Sequence, residues 1–317
     1  MVTIRGYRDK DAPALCGAWN AVWPHIARTP GELAREAKEL EPQYQSRFEV
    51  AEIEGTFVGF SECVRNIGSY HPQKWTINII VVPEHRRKGF GAHLYDAALT
   101  WLTPQDPIRL TTNIFEDDAD ANAFCLNRGF TERKRDFESE LELDTFDPVI
   151  LDQVASRPLP QGVTIKPLAE IDSPEIRRAF HEIFEEVRKD TPRAEPPTPL
   201  AFELFDQQVL GDPDFLKEGT MLALDASGRL IAFTGVFASP FEGSVEQWLT
   251  GCRREHRGQG IPTALKAAGI RWALNIGMKK ILTDNDSRNA PMLAINDRFG
   301  FKRKTAFLTM VRDLVEI

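Results

Sequence analysis

The chain has 317 residues, which suits two domains of about 150 residues better than one hydrophobic core. Its 42% hydrophobic and 27% charged residues are ordinary for a globular protein, and the net charge of −8 argues against nucleic acid or a membrane as the main partner. The four cysteines form no Cys-x-x-Cys pair, so we expect no disulfide framework and no metal. No signal-peptide pattern or apolar run of about 18 residues occurs, so we expect a cytoplasmic protein.

The first half alternates strand-like and helix-like segments. Apolar or alternating runs bounded by turn residues predict strands over 2–5, 48–53, 56–61, 75–82, 108–112 and, as an antiparallel pair, within 130–143. Apolar residues at helical spacing predict helices over 12–24, 30–40, 91–101 and 119–128.

The second half repeats this order. Its strands are predicted over 163–168, 220–224, 230–236, 247–251, 280–283 and, as the last strands, 302–313, and its helices over 262–276 and 290–298. The proline-containing segment 146–161 is predicted to link a domain 1–145 to a domain 162–317. The fold class expected is α+β (α/β), with a mixed, mostly antiparallel sheet flanked by helices in each domain.

Two sequence motifs recur at a fixed offset. Residues 82–91 read VPEHRRKGFG and residues 253–262 read RREHRGQGIP, each between a predicted strand and a predicted helix. Arg86 and Arg257 lie 171 residues apart, and so do Gly129 and Gly300. Two motifs at one offset indicate a duplicated domain.

The repeated turn has the composition of an anion site. A glycine-rich turn that feeds a helix presents backbone N–H groups at the positive end of the helix dipole. Glycine allows positive φ and close approach of phosphate oxygens, and the arginines add charge. The turn has neither the Gly-Lys-Ser/Thr of a Walker loop nor the third glycine of a Rossmann fingerprint.

The spacing Arg-x-x-Gly-x-Gly at Arg86, Gly89 and Gly91 resembles motif A of the GNAT superfamily of acetyl-CoA-dependent N-acetyltransferases. The endings at 127–130 and 283–301 are similar to the family's strand and short helix closed by Gly-Phe. The resemblance extends over most of the chain as two modules in tandem, an architecture similar to that of the mycothiol synthases. It implies acetyl-CoA as co-substrate, held in a V-shaped opening between two parallel strands.

The resemblance also assigns binding roles, with strand backbone for the pantetheine arm, turn amides for the pyrophosphate, and asparagines for the pantetheine amides. In the first copy these residues are Ile80, Val81, Val82, Arg86, Arg87, Lys88, Gly89, Phe90, Gly91, Ala92 and Asn113. In the second copy they are Gly251, Cys252, Arg253, Arg257, Gly258, Gln259, Gly260, Ile261, Thr263, Asn285 and Asn289. A backbone N–H near Val82 or Arg253 is expected to meet the oxyanion.

Both copies depart from the family pattern. Many members carry a tyrosine, the acid for the leaving thiolate, four residues before the glycine of Gly-Phe, where this chain has Cys125 and Asn296. Cys125 is expected to be a packed core residue, and Asn296 can donate a hydrogen bond to the sulfur. Pro262 replaces the last motif glycine and removes one phosphate-binding N–H. The sequence leaves open which copy is active.

General-base candidates are Glu246, near the start of the second copy's motif-A strand, and Glu62 on the first hairpin. Each is alternatively a solvated or salt-bridged surface residue. The resulting hypothesis is direct transfer of acetyl from acetyl-CoA to a primary amine of a small molecule, such as an amino sugar, a polyamine or a thiol precursor. The alternative is a non-catalytic acyl-CoA-binding or scaffold protein in which one or both domains are degenerate. The oligomeric state is open.

Overall fold

The chain folds into two compact units, as a computed structural model shows for residues 2–33 and 46–315. One unit comprises Met1–Lys134 with Phe307–Ile317, and the other comprises Arg135–Ala306. Each unit is a mixed sheet with helices packed on it. None of the helices in the described ranges has the length and apolar character needed to cross a bilayer.

The described part of the first unit has five strands of its own and three helices, besides the helical residues 30–33. The strands are β1 Val2–Gly6, β2 Arg47–Ile53, β3 Thr56–Val64, β4 Lys74–Val81 and β5 Arg109–Phe115. The helices are α1 Ala12–Val22, α2 Phe90–Leu102 and α3 Ala119–Leu126. Strands β1 to β4 pair antiparallel in chain order, and β4 pairs parallel with β5. The helix α2 is the crossover between the two parallel strands.

The remainder of the chain supplies seven strands and six helices within the described residues. The strands are β6 Thr131–Glu142, β7 Thr164–Pro167, β8 Met221–Leu224, β9 Leu230–Ala238, β10 Ser244–Cys252, β11 Lys280–Asp286 and β12 Lys302–Asp313. The helices are α4 Val149–Ala155, α5 Leu168–Ile171, α6 Pro174–Asp190, α7 Phe202–Phe205, α8 Ile261–Asn275 and α9 Ala290–Phe299. Strands β7 to β10 are antiparallel neighbours in chain order, and β10 pairs parallel with β11.

The last strand of each repeat completes the sheet of the other repeat. Residues 307–313 of β12 pair antiparallel with β5 in the first unit. Residues 136–142 of β6 pair antiparallel with β11 in the second unit. The compact units therefore differ from the predicted division into 1–145 and 162–317, because that division followed the order of the repeats along the chain.

Three local predictions differ from the structure or lie beyond it. The segments 130–143 and 302–313 each form one long strand instead of two, and β6 contains no glycine, proline or asparagine that would favour a turn. The predicted linker 146–161 contains α4, whose Leu151 and Val154 are buried in the core of the second unit. The predicted helix over 30–40 lies largely outside the described residues.

Both faces of the first sheet are covered by apolar side chains from the helices. Leu15 and Trp19 of α1 pack with Phe60 and Ile80 in one core cluster. Leu94 of α2 belongs to a separate cluster with residues of β2 and β3. These contacts fix the sheet between α1 and α2, and thereby fix the position of the turn that precedes α2.

Candidate functional site

A cleft opens in the first unit where two parallel strands diverge. Strands β4 and β5 pair only over Lys74–Thr76 and Arg109–Thr111. Beyond these pairs lies a cleft of about 410 Å³, lined by residues 77–81 of β4, the turn before α2, the end of β5 and one side of α3. The backbone of β4 along the cleft is therefore released from the parallel ladder and can bind a ligand.

The turn before α2 has the same backbone geometry as the turn before α8. Gly89 and Gly260, at the two helix N-caps, have φ of 87° and 80°. The Nε of Arg86 donates to the carbonyl oxygen of Val81 at 3.2 Å, and the Nε of Arg257 donates to that of Cys252 at 3.1 Å. The two turns are therefore matched in structure, and differences between the sites arise from what surrounds each turn.

One residue of the first turn holds a strained conformation. Arg87 has φ of 61°, in the left-handed region, where the second copy has Gly258 with φ of 74°. A side chain in that region costs of order 1 kcal/mol or more, and such residues cluster at binding sites. This strain was not predictable from the sequence, because the repeat offset shows only that an arginine stands opposite a glycine.

Cations and helix amides converge at the mouth of this cleft. Arg86 lies 3.6 Å from Asp118, and Arg87 lies 3.2 Å from Asp120, both as exposed ion pairs. Such pairs are weak, so a phosphate can displace the carboxylates. The first N–H groups of α2 lack acceptors within the helix and add an anion site at Gly89. The mouth of the cleft therefore has the cations and free N–H groups that bind anions.

Most residues predicted to bind the cofactor in the first copy do line the cleft. Those that line it are Ile80, Val81, Arg86, Arg87, Gly89, Phe90, Gly91, Ala92 and Asn113. Val82 and Lys88 are not part of the lining, and the Nζ of Lys88 donates to the carbonyl oxygen of Glu84 at 2.8 Å.

The alternation of backbone groups along β4 changes two of these assignments. The N–H of Val82 donates to the oxygen of Val58 on β3 at 3.1 Å, so it cannot meet an oxyanion in the cleft. Backbone groups alternate sides along a strand, and Ile80 therefore also presents its groups to β3. The groups that face the opening belong to Ile77, Ile79 and Val81, and the carbonyl oxygen of Val81 already accepts from Arg86. The sequence predicted the strand β4 but not its register with β3. That register decides which residues present their backbone groups to the cleft.

In the second unit, Asn285, predicted to bind pantetheine, and Asn296, predicted to donate to the sulfur, belong to one hydrogen-bonded network with Lys266. The fully buried Lys266 of α8 donates through Nζ to Oδ1 of Asn296 at 2.6 Å. Asn296 donates through Nδ2 to Oδ1 of Asn285 at 2.5 Å. The hydroxyl of Thr283 donates to the backbone oxygen of Gln247 at 2.9 Å, across β10 and β11. The amide groups of Asn285 and Asn296 are thus engaged with protein partners.

Carboxylates already neutralise the arginines around the second turn. Arg257 lies 2.6 Å from Asp190, which also pairs with Arg254, and these hydrogen bonds hold the pKa of Asp190 well below its usual range. Arg253 is buried and lies 2.9 Å from Glu186. All three carboxylate–arginine contacts come from α6, so this turn offers less free positive charge than the first.

Other contacts around β10 also oppose the predicted binding roles. The N–H of Arg253 donates to the oxygen of Ile231 at 2.9 Å, so it does not face an oxyanion. A Cβ built on Gly251 would lie 2.4 Å from Val187 of α6, which shows how closely this helix covers the strand. The other predicted residues, Cys252, Gly258, Gln259, Gly260, Ile261, Thr263 and Asn289, lie at the end of β10, in the turn, in the first turn of α8 and at the N-cap of α9.

The two glutamates proposed as bases have different surroundings. Glu62 is 1% exposed, and its two oxygens accept from Arg28 at 2.9 Å and from the cleft residue Asn78 at 2.8 Å. Glu246 lies half-buried on β10, opposite Phe237 of β9. Both oxygens of Glu62 therefore already accept hydrogen bonds, and one of these bonds holds Asn78 in place.

Tyr95 of α2 is a cleft residue that motif analysis missed. It is 4% exposed, lines the cleft, and accepts a hydrogen bond from Arg312 at 2.5 Å. Cys125 lines the same cleft, and burial raises the pKa of its thiol to about 11. The signal available in the sequence was the 171-residue offset, which places Tyr95 opposite Lys266.

Comparison with known proteins agrees with this geometry. The model of the acetyltransferase (GNAT) family matches residues 14–130 and 177–301. A mycothiol acetyltransferase of Amycolatopsis mediterranei is 27% identical over 267 residues, with 80% of each chain covered. One from Pseudarthrobacter chlorophenolicus is 33% identical over 93 residues, which cover 28% of this chain and 29% of that relative.

Solved structures share the fold at low identity. A tandem GNAT protein from the clavulanic acid biosynthesis pathway has a TM-score of 0.72 and 19% identity, with 100% of both chains covered. A GCN5-related N-acetyltransferase from Sphaerobacter thermophilus has a TM-score of 0.71 and 19% identity, with 99% of this chain and 96% of that chain covered. At this identity the likeness establishes the fold alone.

The fold and the site define an N-acetyltransferase class of protein, with two copies of the fold in one chain. Because the family model matches most of the sequence, the chain belongs to the acetyltransferase (GNAT) family. The predicted family, fold class and general activity are thereby confirmed, and the non-catalytic alternative is not favoured.

Proposed function

We propose that the first unit binds acetyl-CoA and transfers its acetyl group to a primary amine of a small molecule. The observation that carries this proposal is the cleft between the diverging strands β4 and β5, with the arginine-rich turn at its mouth. The second unit keeps the turn geometry, but its arginines are paired with carboxylates, and Asn296 is bonded to both Lys266 and Asn285. We therefore assign it a supporting role.

The residues of the cleft divide the work of binding. Arg86, Arg87 and the first amides of α2 hold the pyrophosphate, and the backbone of Ile77 and Ile79 pairs with the pantetheine arm. A backbone N–H on this stretch of β4 is placed to stabilise the oxyanion formed when an amine attacks the thioester. Acetyl-CoA supplies the activated acetyl group, and the protein supplies position and charge.

Asn78 is proposed to contact the acceptor. Its side chain lies in the cleft and is held by Glu62, which is itself fixed by Arg28. This chain of hydrogen bonds orients the amide without leaving a free carboxylate, so the proton of the attacking ammonium is expected to leave through water. The relatives that are named mycothiol acetyltransferases support a small-molecule acceptor.

The proposal is tested by amine-dependent release of CoA from acetyl-CoA, measured with a thiol reagent. The acceptors to compare are amino sugars, polyamines and the thiol precursor that mycothiol acetyltransferases acetylate. We expect one acceptor class to raise the rate above hydrolysis, and mass spectrometry to find the N-acetylated product. If acetyl-CoA binds but no amine raises the rate, the small-molecule transferase assignment is wrong.

A further inference from the structure

We propose that Tyr95 gives its hydroxyl proton to the departing CoA sulfur, and that Arg312 positions Tyr95 for this transfer. The inference rests on the proposed function of the first unit. The proton donor in this proposal lies on α2, whereas the family pattern places a tyrosine at the position of Cys125 on α3. Tyr95 and Arg312 lie 217 residues apart along the chain, within one compact unit.

The chemistry requires a proton at one defined place. When an amine attacks the thioester, the N–C bond forms, the C–S bond breaks, and sulfur receives the bonding electron pair. In our assignment the sulfur takes the Tyr95 proton and leaves as the thiol. The amine loses its extra proton to water, and the tyrosinate regains a proton from solvent, so the enzyme returns to its starting state.

Tyr95 is held in one orientation beside the cleft. Its ring makes edge contacts with Phe124 and Phe130, with centroids 6.0 and 6.4 Å apart. The Nη1 of Arg312 donates to its oxygen at 2.5 Å. Because arginine can only donate, the hydroxyl hydrogen is directed to another acceptor. The cation beside the oxygen also stabilises the tyrosinate left after proton transfer.

Two cations contact Tyr95: Arg312 on β12, and Arg128, whose guanidinium carbon lies 5.1 Å from the ring centroid. The lining of the same cleft also holds the thiol of Cys125 on α3 and the ionisable groups of His85, Arg86, Arg87, Asp118 and Asp120. Cys125 is buried with a raised pKa, so at neutral pH its thiol carries no charge. The charged groups in contact with Tyr95 are thus cations, which suit the negative charge that develops on its oxygen during proton transfer.

The second copy supports the placement of Tyr95 next to position 125. Lys266 and Asn296 stand 171 residues after Tyr95 and Cys125. In the second unit these two side chains are joined by a hydrogen bond of 2.6 Å. By the repeat, the side chain at position 95 adjoins position 125, where family members place their tyrosine. A phenol reaches the same part of the cleft from the other helix.

The first test compares Tyr95→Phe with wild type and with Tyr7→Phe as a matched control. Tyr7 lies in the same unit, and its hydroxyl makes no hydrogen bond to any described residue. We expect kcat for the Tyr95 variant to fall by about a hundredfold or more, with the Kd of acetyl-CoA nearly unchanged. The control variant should turn over like wild type. Unchanged kcat for Tyr95→Phe overturns the inference.

A binding measurement tests the same contact without turnover. Calorimetry compares CoA with desulfo-CoA, which lacks the sulfur, in wild type and in Tyr95→Phe. We expect CoA to bind wild type about threefold to tenfold more tightly than desulfo-CoA, and the variant to lose that difference. An equal difference in both proteins shows that the phenol does not meet the sulfur and refutes the assignment.

Arg312 is tested as a positioning residue through the pH profile. Arg312→Gln removes the cation but keeps a donor, whereas Arg312→Lys keeps a cation. We expect the alkaline limb of kcat to move to higher pH in the Gln variant and to stay nearer wild type in the Lys variant. Replacing Tyr95 by 3,5-difluorotyrosine, a more acidic phenol, should move the limb to lower pH. If no limb moves in any variant, Tyr95 is not the donor. Failure of wild type to bind acetyl-CoA would instead remove the proposed function itself.

Discussion

At the scale of single residues, the two arginines of the repeated turns differ in their carboxylate partners. Arg86 and Arg257 make the same hydrogen bond to the strand before the turn, at 3.2 and 3.1 Å. Arg86 has one weak carboxylate contact at 3.6 Å, while Arg257 has a close one at 2.6 Å. The same residue type is therefore available to a phosphate in one unit and already neutralised in the other.

Replacing each arginine by glutamine should separate the two units. A hydrogen bond to a charged group contributes about 1.5–3 kcal/mol, so Arg86→Gln should weaken acetyl-CoA binding by roughly tenfold to a hundredfold. Arg257→Gln should change it by less than about twofold, since Asp190 already occupies that guanidinium. Isothermal calorimetry measures both affinities. A larger loss in the Arg257 variant would place the cofactor in the second unit.

Lys266 predicts a pH dependence of stability. Burial lowers its pKa from 10.5 to about 7. Between these values the unfolded chain binds more protons than the folded protein, so the free energy of unfolding rises with pH in this window. Below about pH 7 the lysine is charged in both states, and the cost of burying that charge is fully present.

Lys266→Met should remove this slope. Relative to wild type, the variant's free energy of unfolding should decrease by at least about 1 kcal/mol as pH rises from neutral toward the ordinary lysine pKa. Urea titrations at several pH values measure it, with the exposed Lys279→Met as control. A difference that is constant across pH would show that Lys266 is not buried as a shifted lysine.

At the scale of elements, local patterns predicted most strands and helices, but not what each element packs against. The stripe of Leu94, Ala98 and neighbouring residues correctly predicted α2, because helical periodicity is local. Which residues of β4 turn their N–H and C=O groups toward the cleft depends on the register of β4 with β3. That register could not be predicted from the sequence. Three prolines within 146–161 favoured a linker, yet α4 in this segment is buried on one side.

The helix α4 gives a stability prediction with an internal control. Leu151 is 1% exposed, whereas Val149 in the same helix is 51% exposed. Leu151→Ala should lower the free energy of unfolding of the second unit by about 2–5 kcal/mol. Val149→Ala should change it by less than about 0.5 kcal/mol. Chemical denaturation followed by tryptophan fluorescence measures both. Equal, small effects would mean that 146–161 is a linker after all.

At the scale of the whole molecule, the sequence predicted the duplication. It did not predict that the last strand of each repeat pairs within the sheet of the other repeat. The 171-residue offset links Gly129 to Gly300 as well as Arg86 to Arg257, so two copies of one fold followed directly. The strands β6 and β12 have equal lengths and equivalent places in their repeats. Either can therefore pair beside β5 or β11, and local sequence does not decide between the two.

In the site too, features local in sequence were predicted, and contacts between distant residues were not. The turn residues were predicted because their spacing is fixed along the chain. Tyr95 and the pairing of Asn296 with Lys266 depend on which side chains meet across helices, so the motif did not contain them. The sequence did not show which unit is to be assigned the cofactor. That assignment depends on the carboxylates of α6, which neutralise the second turn but lie far from it along the chain.

We propose that the first unit, and not the second, binds acetyl-CoA. The most direct test is a calorimetric titration of acetyl-CoA into wild type, Gly89→Pro and Gly260→Pro, with native fold checked by circular dichroism. Both glycines are helix N-caps with φ near 80°, which proline cannot adopt, so the two variants carry the same structural penalty. We predict one site in wild type, loss of binding in Gly89→Pro, and retained binding in Gly260→Pro. Binding that survives in Gly89→Pro and disappears in Gly260→Pro would show that the second unit, and not the first, binds acetyl-CoA.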